Sequence, residues 1–147
     1  MRSWVRSSAG SVPGNDHGCR AVSQNSRLGR KVILADPIGS RLAHLVDPNQ
    51  PDHDANYKVE GIGGSEPPAV LDLRVIDGAE RVSDEESFAM AKRLICEEGL
   101  LVGGSSGTAV VAALRVAARA DVRGPVVAIL ADSWDRYLST PWLRSRD

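Results

Sequence analysis

The sequence predicts an α/β chain, a partial parallel sheet with flanking helices, and three observations lead there. Two continuous apolar runs, KVILADP from residue 31 and PVVAILAD from residue 125, read as strands buried on both faces. Two helical patterns, at 84–98 and 106–120, lie between them, and strand alternating with helix is the mark of this class. The chain has 147 residues with Lys+Arg 18 against Asp+Glu 19, a net charge of −1, which suits one modest globular unit.

Residues 1–30 lack both helical and strand periodicity and are rich in Ser, Gly, Asn and Arg, which predicts an irregular segment. The texture changes at Lys31, so 31–147 is read as the folded portion. A strand over 32–35 stops at Asp36-Pro37. DPNQPDHDAN, 47–56, is a polar loop. YKVEGIGG follows as an extended piece entering a glycine turn, and 67–82 reads as irregular with a strand at 71–76. Ser83 and Glu86 have capping-box spacing. Phe88, Ala91, Leu94 and Ile95 then share one face, and Gly99 supplies the stop. Residues 100–102 read as a brief buried strand or the lead-in to one. The helix over 106–120 carries Val110, Val111, Leu114, Ala117 and Ala118, apolar on most sides and therefore buried. The last strand is expected at 126–130.

Balanced charge offers no basic stripe for nucleic acid and no patch for a membrane surface. The longest apolar runs are too short to span a bilayer, and the N-terminus lacks the apolar core of a secretory signal. Cys19 and Cys96 are far apart in sequence and suggest no disulfide framework, which favours the cytoplasm; Cys96 is expected as a small buried residue of its helix. His17, His44 and His53 lack metal-ligand spacing, and Asp47, Asp52 and Asp54 lack the order of a calcium loop. No metal is expected, and these side chains should be solvated.

Three stretches can carry chemistry. GGSSG, 103–107, falls between a strand-like run and a helix. It would place helix N-terminal N–H groups and the Ser105 or Ser106 hydroxyl around a ligand. It is not a P-loop, because no Lys-Ser/Thr follows the glycines. The same residues also suit a tight strand-to-helix turn with a serine cap. EGIGG, 60–64, either brings backbone close to a ligand or simply turns the chain. Asp132 ends the last strand, where open parallel sheets bind ligands, and could equally cap the turn that follows.

Taken in order, VILADPIGS, YKVEGIGG, VSDEESFAMAKRLICEEGLLVGGSSGTAVVAAL and VVAILADSWDRYLST resemble the C-terminal part of the cystathionine β-synthase and cysteine synthase family. The resemblance runs from about residue 31 to 140. It implies a tryptophan synthase β-like fold of type II, of which this would be the C-terminal half of the large domain. It further implies pyridoxal 5′-phosphate as cofactor, a small amino-acid substrate such as serine or O-acetylserine, and β-replacement in cysteine biosynthesis. Ser105 corresponds to the serine that hydrogen-bonds the pyridine nitrogen, a neutral hydroxyl that does not force protonation of the ring. Gly61, Ile62 and Gly63 correspond to the turn lining the pocket, and Asp132 to the strand end beside the ring. Cystathionine β-synthases often follow that turn with Tyr, where this chain has Gly64.

The family's Schiff-base lysine lies in a Ser-x-Lys-Asp-Arg context, which does not occur here. Of three lysines, Lys31 opens a strand, Lys58 sits in a polar run and Lys92 lies within a helix, so no residue is assigned the catalytic amine. The family's glycine-rich phosphate cradle should precede VILADP, where this chain has GNDHGCRAVSQ. Shifted by one nucleotide, the codons for that stretch admit the cradle residues in succession. The expectation is therefore an out-of-frame leader at 1–30 and a chain inactive alone, whose partners would be a complementing N-terminal fragment or a second copy in a homodimer. The competing expectation is a non-enzymatic module binding an anion or partner through the GGSSG helix terminus.

Overall fold

The computed structural model describes residues 2–7, 30–69 and 71–144. Its described strands form one sheet in which every pairing is parallel: β1 (Arg2–Ser7), β2 (Arg30–Pro37), β3 (Gly78–Val82) and β4 (Val126–Ala128), in the spatial order β3-β2-β1-β4. The α/β class and parallel sheet follow the sequence reading. The irregular segment expected over 1–30 does not hold for its first residues. β1 is an interior strand, with Arg2 opposite Arg30 on one side and Ser3 opposite Val126 on the other. Two flanking ladders satisfy its backbone, and such pairing overrides a weak local pattern.

β2 is longer than the predicted 32–35. Parallel pairing with β3 continues through Asp36 opposite Arg81 and Pro37 opposite Val82, so the Asp-Pro pair ends the strand from inside the ladder. A short helix, α1 (Leu42–Val46), follows; no sequence pattern announced it. The strand expected at 71–76 is absent. Asp72 Oδ1 instead accepts the Arg74 N–H at 3.1 Å and sets a 3₁₀ turn at Leu73–Val75. Asp77 then clamps the chain to β2, accepting from Val32 N–H at 2.7 Å while its own N–H donates to the Val32 carbonyl at 2.8 Å. β3 starts from that clamp.

Helix α2 (Asp84–Glu98) has the predicted bounds. The Ser83 Oγ accepts from Glu86 N–H at 3.2 Å, the Glu86 carboxylate accepts from Ser83 N–H at 3.0 Å, and Gly99 ends the helix at φ 69°. Its buried face is Ser87, Ala91 and Leu94, spaced four and three residues apart. Cys96 lies two positions past Leu94, on the solvent side, and is exposed rather than buried.

Helix α3 (Gly104–Ala117) starts two residues earlier and ends three residues sooner than predicted. Gly103 is its N-cap and no side chain caps it, so Ser105 and Ser106 occupy the first turn instead of closing it. Val111, Ala112, Ala113 and Val116 pack with Ile33, Ala35 and Val82 of the sheet as the core. The helix is not buried all round, since Leu114 is 55% exposed. Its other buried face meets α2. A Cβ on Gly107 would overlap the Ser87 carbonyl, and Thr108 Oγ1 donates to Ser87 Oγ at 2.8 Å.

The brief strand expected at 100–102 is reduced to one antiparallel bridge, Val102 to Ser133, with Leu100 and Leu101 exposed. β4 is shorter than the predicted 126–130 and forms an edge, so Val127 and Leu130 are partly open to solvent. A 3₁₀ turn at Trp134–Tyr137 and a short helix, α4 (Pro141–Arg144), bring Trp142 onto Phe88 of α2, ring centroids 5.0 Å apart. Among the described residues no helix is long and apolar enough to cross a membrane, and no cluster of His, Cys, Asp or Glu could hold a metal.

Candidate functional site

Because every pairing is parallel, the C-terminal ends of β2 and β4 lie on the same side of the sheet, and α3 starts there. Ser105 and Asp132, 27 residues apart in sequence, meet at that edge: Ser105 Oγ lies 3.4 Å from Asp132 Oδ1 and is 2% exposed. Asp132 does not cap the following turn, whose N-cap is Ser133 without a side-chain bond. Its second oxygen, Oδ2, accepts from the Tyr137 hydroxyl. The absent side chain of Gly103 permits this arrangement, because a Cβ there would collide with Asp132 Oδ1 and the Tyr137 ring. Burial, followed by the bond to Asp132, pushes the Tyr137 phenol well above its ordinary value. It therefore stays protonated and donates.

The EGIGG turn approaches the same helix terminus. Val59, just before it, is the side chain nearest to Gly104 after Phe88, and Glu60 contributes to the field on Tyr137. Gly61 and Gly63 have φ of 75° and 76°, and Ile62 is buried. Gly63 also leaves no room for a side chain: a Cβ would stand 2.7 Å from both Pro37 Cγ and Tyr57 Oη. Ser40 pins the turn to the end of β2. Its Oγ accepts from Gly64 N–H at 3.0 Å and faces the Gly64 carbonyl at 3.1 Å, while Arg41 N–H donates to that carbonyl at 3.0 Å. Beside the turn opens a cavity of about 700 Å³, lined by Asn56, Tyr57, Glu60, Gly61, Ile62 and Ser65 among others.

Below the turn, Asp36 is fully buried. Burial raises its carboxyl above the usual range, against the lowering pull of Ser40, the Ala43 N–H and Arg81. Asp36 Oδ1, Arg81 Nε and Ser106 Oγ are buried without a hydrogen-bond partner among the described residues. The orphaned Ser106 hydroxyl lies in the first turn of α3, a helix without a side-chain cap, and beside it the buried Ser105 hydroxyl supplies the single hydrogen-bonding group that a pyridine nitrogen takes. These residues therefore fit a pyridoxal ring on its nitrogen side.

Of the remaining sequence-selected groups, Asp54 lines the cavity beside the turn and accepts from Ser65 Oγ at 2.9 Å. Others lie elsewhere: His44 Nδ1 is 2.8 Å from the Gln50 carbonyl, and Asp52 pairs with Arg41 at 2.8 Å. His17 and Cys19 are outside the described residues. Lys31 stands at the opposite end of β2 from Asp36 and pairs with Asp121 at 3.6 Å, Lys58 is exposed, and Lys92 is on α2. Sequence reasoning missed Gly103 and Tyr137. The spacing of Asp132 and Tyr137 in DSWDRYL was visible, but only the 3₁₀ turn brings the phenol back onto the carboxylate.

Comparison with known proteins gives the same neighbourhood. Residues 10–132 match the family described as Pyridoxal-phosphate dependent enzyme, a span that takes in part of the first thirty residues. The chain is 46% identical to cystathionine beta-synthase of Mus musculus over 111 residues, 76% of this chain and 20% of that protein. Against the cystathionine beta-synthase of Apis mellifera it is 38% identical over 143 residues, 93% of this chain and 27% of the relative. Among solved structures it is similar to the O-acetylserine dependent cystathionine beta-synthase from Helicobacter pylori, with a TM-score of 0.73 and 34% identity. That match covers 95% of this chain and 42% of that one. The chain thus spans between a fifth and about a quarter of these two curated relatives.

Proposed function

Because this chain belongs to the pyridoxal-phosphate-dependent enzyme family, we propose that it forms the ring-nitrogen side of a site for β-replacement on serine or O-acetylserine. The observation that carries this reading is the meeting of Ser105 and Asp132 at the uncapped first turn of α3. Pyridoxal 5′-phosphate, when bound, supplies the electron sink that such a replacement needs. Ser105 contributes a buried hydroxyl at the ring nitrogen. Gly61, Ile62 and Gly63 form a wall with no side chain at its two left-handed positions, and Asp132 holds Ser105 from behind.

The amine that anchors the cofactor comes from outside these 147 residues. The hydrogen bonds of Ser105 and Asp132 go to each other and to Tyr137 rather than to a lysine, and Lys31 pairs with Asp121 at the surface. Alone, the chain is inactive; a complementing N-terminal fragment that carries the lysine restores the site. The codon-level reading of 14–24 as a displaced phosphate cradle belongs to the same proposal, and resequencing the locus decides it.

The test is titration of the purified chain with pyridoxal phosphate, followed by visible absorption, borohydride trapping and assay for cysteine and cystathionine. Reversible binding that weakens about tenfold in Ser105→Ala, the worth of one lost buried hydrogen bond, supports the reading. A trapped lysine adduct with turnover overturns the inactivity. Equal binding of inorganic phosphate and pyridoxal phosphate, indifferent to Ser105, marks instead a simple anion-binding module and overturns the ring site.

A further inference from the structure

Two of the buried polar atoms without a hydrogen-bond partner among the described residues, Asp36 Oδ1 and Arg81 Nε, are a matched acceptor and donor. Asp36 and Arg81 stand opposite each other in the parallel ladder of β2 and β3, which puts their side chains on one face of the sheet. The rest of each group is engaged. Asp36 Oδ2 accepts from Ala43 N–H at 2.8 Å. The Arg81 guanidinium donates through Nη2 to the Ser40 carbonyl at 2.8 Å and through Nη1 to the Pro51 carbonyl at 3.0 Å. Ser40 carries the glycine turn, and Pro51 belongs to the loop whose Asp54, Ala55 and Asn56 line the cavity. One side chain thus spans both walls of that cavity. Near Pro51 the loop is otherwise tied by the exposed pair of Asp52 with Arg41 and by the Gln50 carbonyl on His44.

We propose that Arg81 is a two-position latch for the 47–56 loop: with Nη1 on the Pro51 carbonyl the loop is held in, and with Nε on Asp36 Oδ1 the loop is released. A buried donor and a buried acceptor left unmade side by side cost free energy, and one turn of the guanidinium relieves both. That turn takes Nη1 off Pro51, so one satisfied bond is exchanged for another. Two arrangements of nearly equal free energy are what a switching element needs. The glycine turn stays in place throughout, because Ser40 Oγ and Arg41 N–H hold Gly64 independently of Arg81. The loop then takes with it the bond from Ser65 to Asp54, which joins the two walls. The inference concerns access to the cavity and does not depend on what the ring site holds.

Amide hydrogen exchange on the full chain tests the latch without any ligand. It is read at Ala55, whose N–H donates to the Gly39 carbonyl, and at Gln50, whose N–H donates to the Asp47 carbonyl. In Asp36→Asn the side-chain oxygen keeps the Ala43 bond and the new NH2 faces Arg81, donor against donor, which locks the latch on Pro51. Exchange at both amides should slow by about twofold, since only the part of opening that runs through the latch is removed. In Arg81→Lys a single ammonium cannot grip Ser40 and Pro51 as the planar fork does. Exchange there should quicken about fivefold, the worth of one net hydrogen bond. On the Arg81→Lys background the effect of Asp36→Asn should vanish. A merely structural pair would loosen the loop in both variants, so the opposite signs carry the proposal. Faster or unchanged exchange in Asp36→Asn overturns it, as does unchanged exchange in Arg81→Lys. If Asp36→Asn does not fold, nitrogen-15 relaxation dispersion at Arg81 Nε of the parent chain decides. Exchange between two environments supports the latch, and a single environment, with the two atoms bridged by a fixed buried water, overturns it.

Discussion

The α2–α3 joint and the segment that follows β4 hold the same site by different means. At the joint, contact is made by shape. Gly104 sits against Phe88, Gly107 sits against the Ser87 backbone, and a buried hydroxyl pair, Thr108 and Ser87, closes the gap between the helices. Behind it Val111, Ala112 and Val116 fill the sheet face. Beyond β4 the chain is held at points. Asp132 is gripped by Tyr137, Trp142 rests on Phe88, and Leu130 and Leu138 remain partly exposed. A joint fixed by shape tolerates no added atom, whereas a segment fixed at points can adjust while its anchors stay in place. Ser105 belongs to the first region and Asp132 to the second, so the site spans a rigid wall and an adjustable one.

The largest expected effect breaks the rigid side. In Gly107→Ala the new Cβ overlaps the Ser87 carbonyl and comes within 2.9 Å of Ala91 N, with backbone on both counts. Neither helix can yield locally, and overpacking against backbone should remove about 3 kcal/mol or more of stability. Urea denaturation followed by helical circular dichroism measures it. A loss below about 1 kcal/mol would mean that the helices do not touch at this position.

A milder break separates the two regions. Trp142→Ala removes the stack on Phe88 and the tilted contact with Tyr137, at 5.0 and 5.9 Å between centroids. Each aromatic pair is worth about 0.5–1.5 kcal/mol beyond its burial. The expected result is lost amide protection in 130–144 with protection of α2 and α3 unchanged. Equal loss in both regions would show that they unfold as one unit and that the closing segment is not separately adjustable.

The same contrast governs what could be read in advance. Helix α2 was legible to the residue because its signals act within a turn: Ser83, Glu86 and Gly99 cap and stop it without help from the rest of the chain. GGSSG was legible as a strand-to-helix approach, and Ser105 and Asp132 do meet. The serine cap was not to be had, because Gly103 takes the cap position and admits Asp132 and Tyr137 beside it. β1 was illegible, since its order comes from two ladders formed with strands 28 and 123 residues away, Arg30 opposite Arg2 and Val126 opposite Ser3. At 71–76 a strand was expected within an irregular stretch, but Asp72 and Asp77 accept backbone N–H groups and the strand forms at Gly78–Val82. Tyr137 could not be assigned a role, because its partner is set by the path of a 3₁₀ turn rather than by a motif.

The smallest effect is a slope rather than an offset, and it sharpens the rigid side. Asp36 is buried under the glycine turn, and burial raises its carboxyl above the ordinary aspartate value of 3.8 despite Ser40, the Ala43 N–H and Arg81. The folded chain therefore holds this proton more tightly than the unfolded chain does. Its contribution to stability is fully present below about pH 4 and is lost as pH rises through the raised folded value. Asn at this position cannot titrate. The unfolding free energy of the parent minus that of Asp36→Asn should therefore fall as pH is raised above about 4 and level off once pH passes the raised folded value, whatever constant offset the lost charge introduces. Urea midpoints at several pH values measure the slope. A flat difference would mean that water reaches Asp36, in which case the floor beneath EGIGG is open and the turn belongs with the adjustable wall.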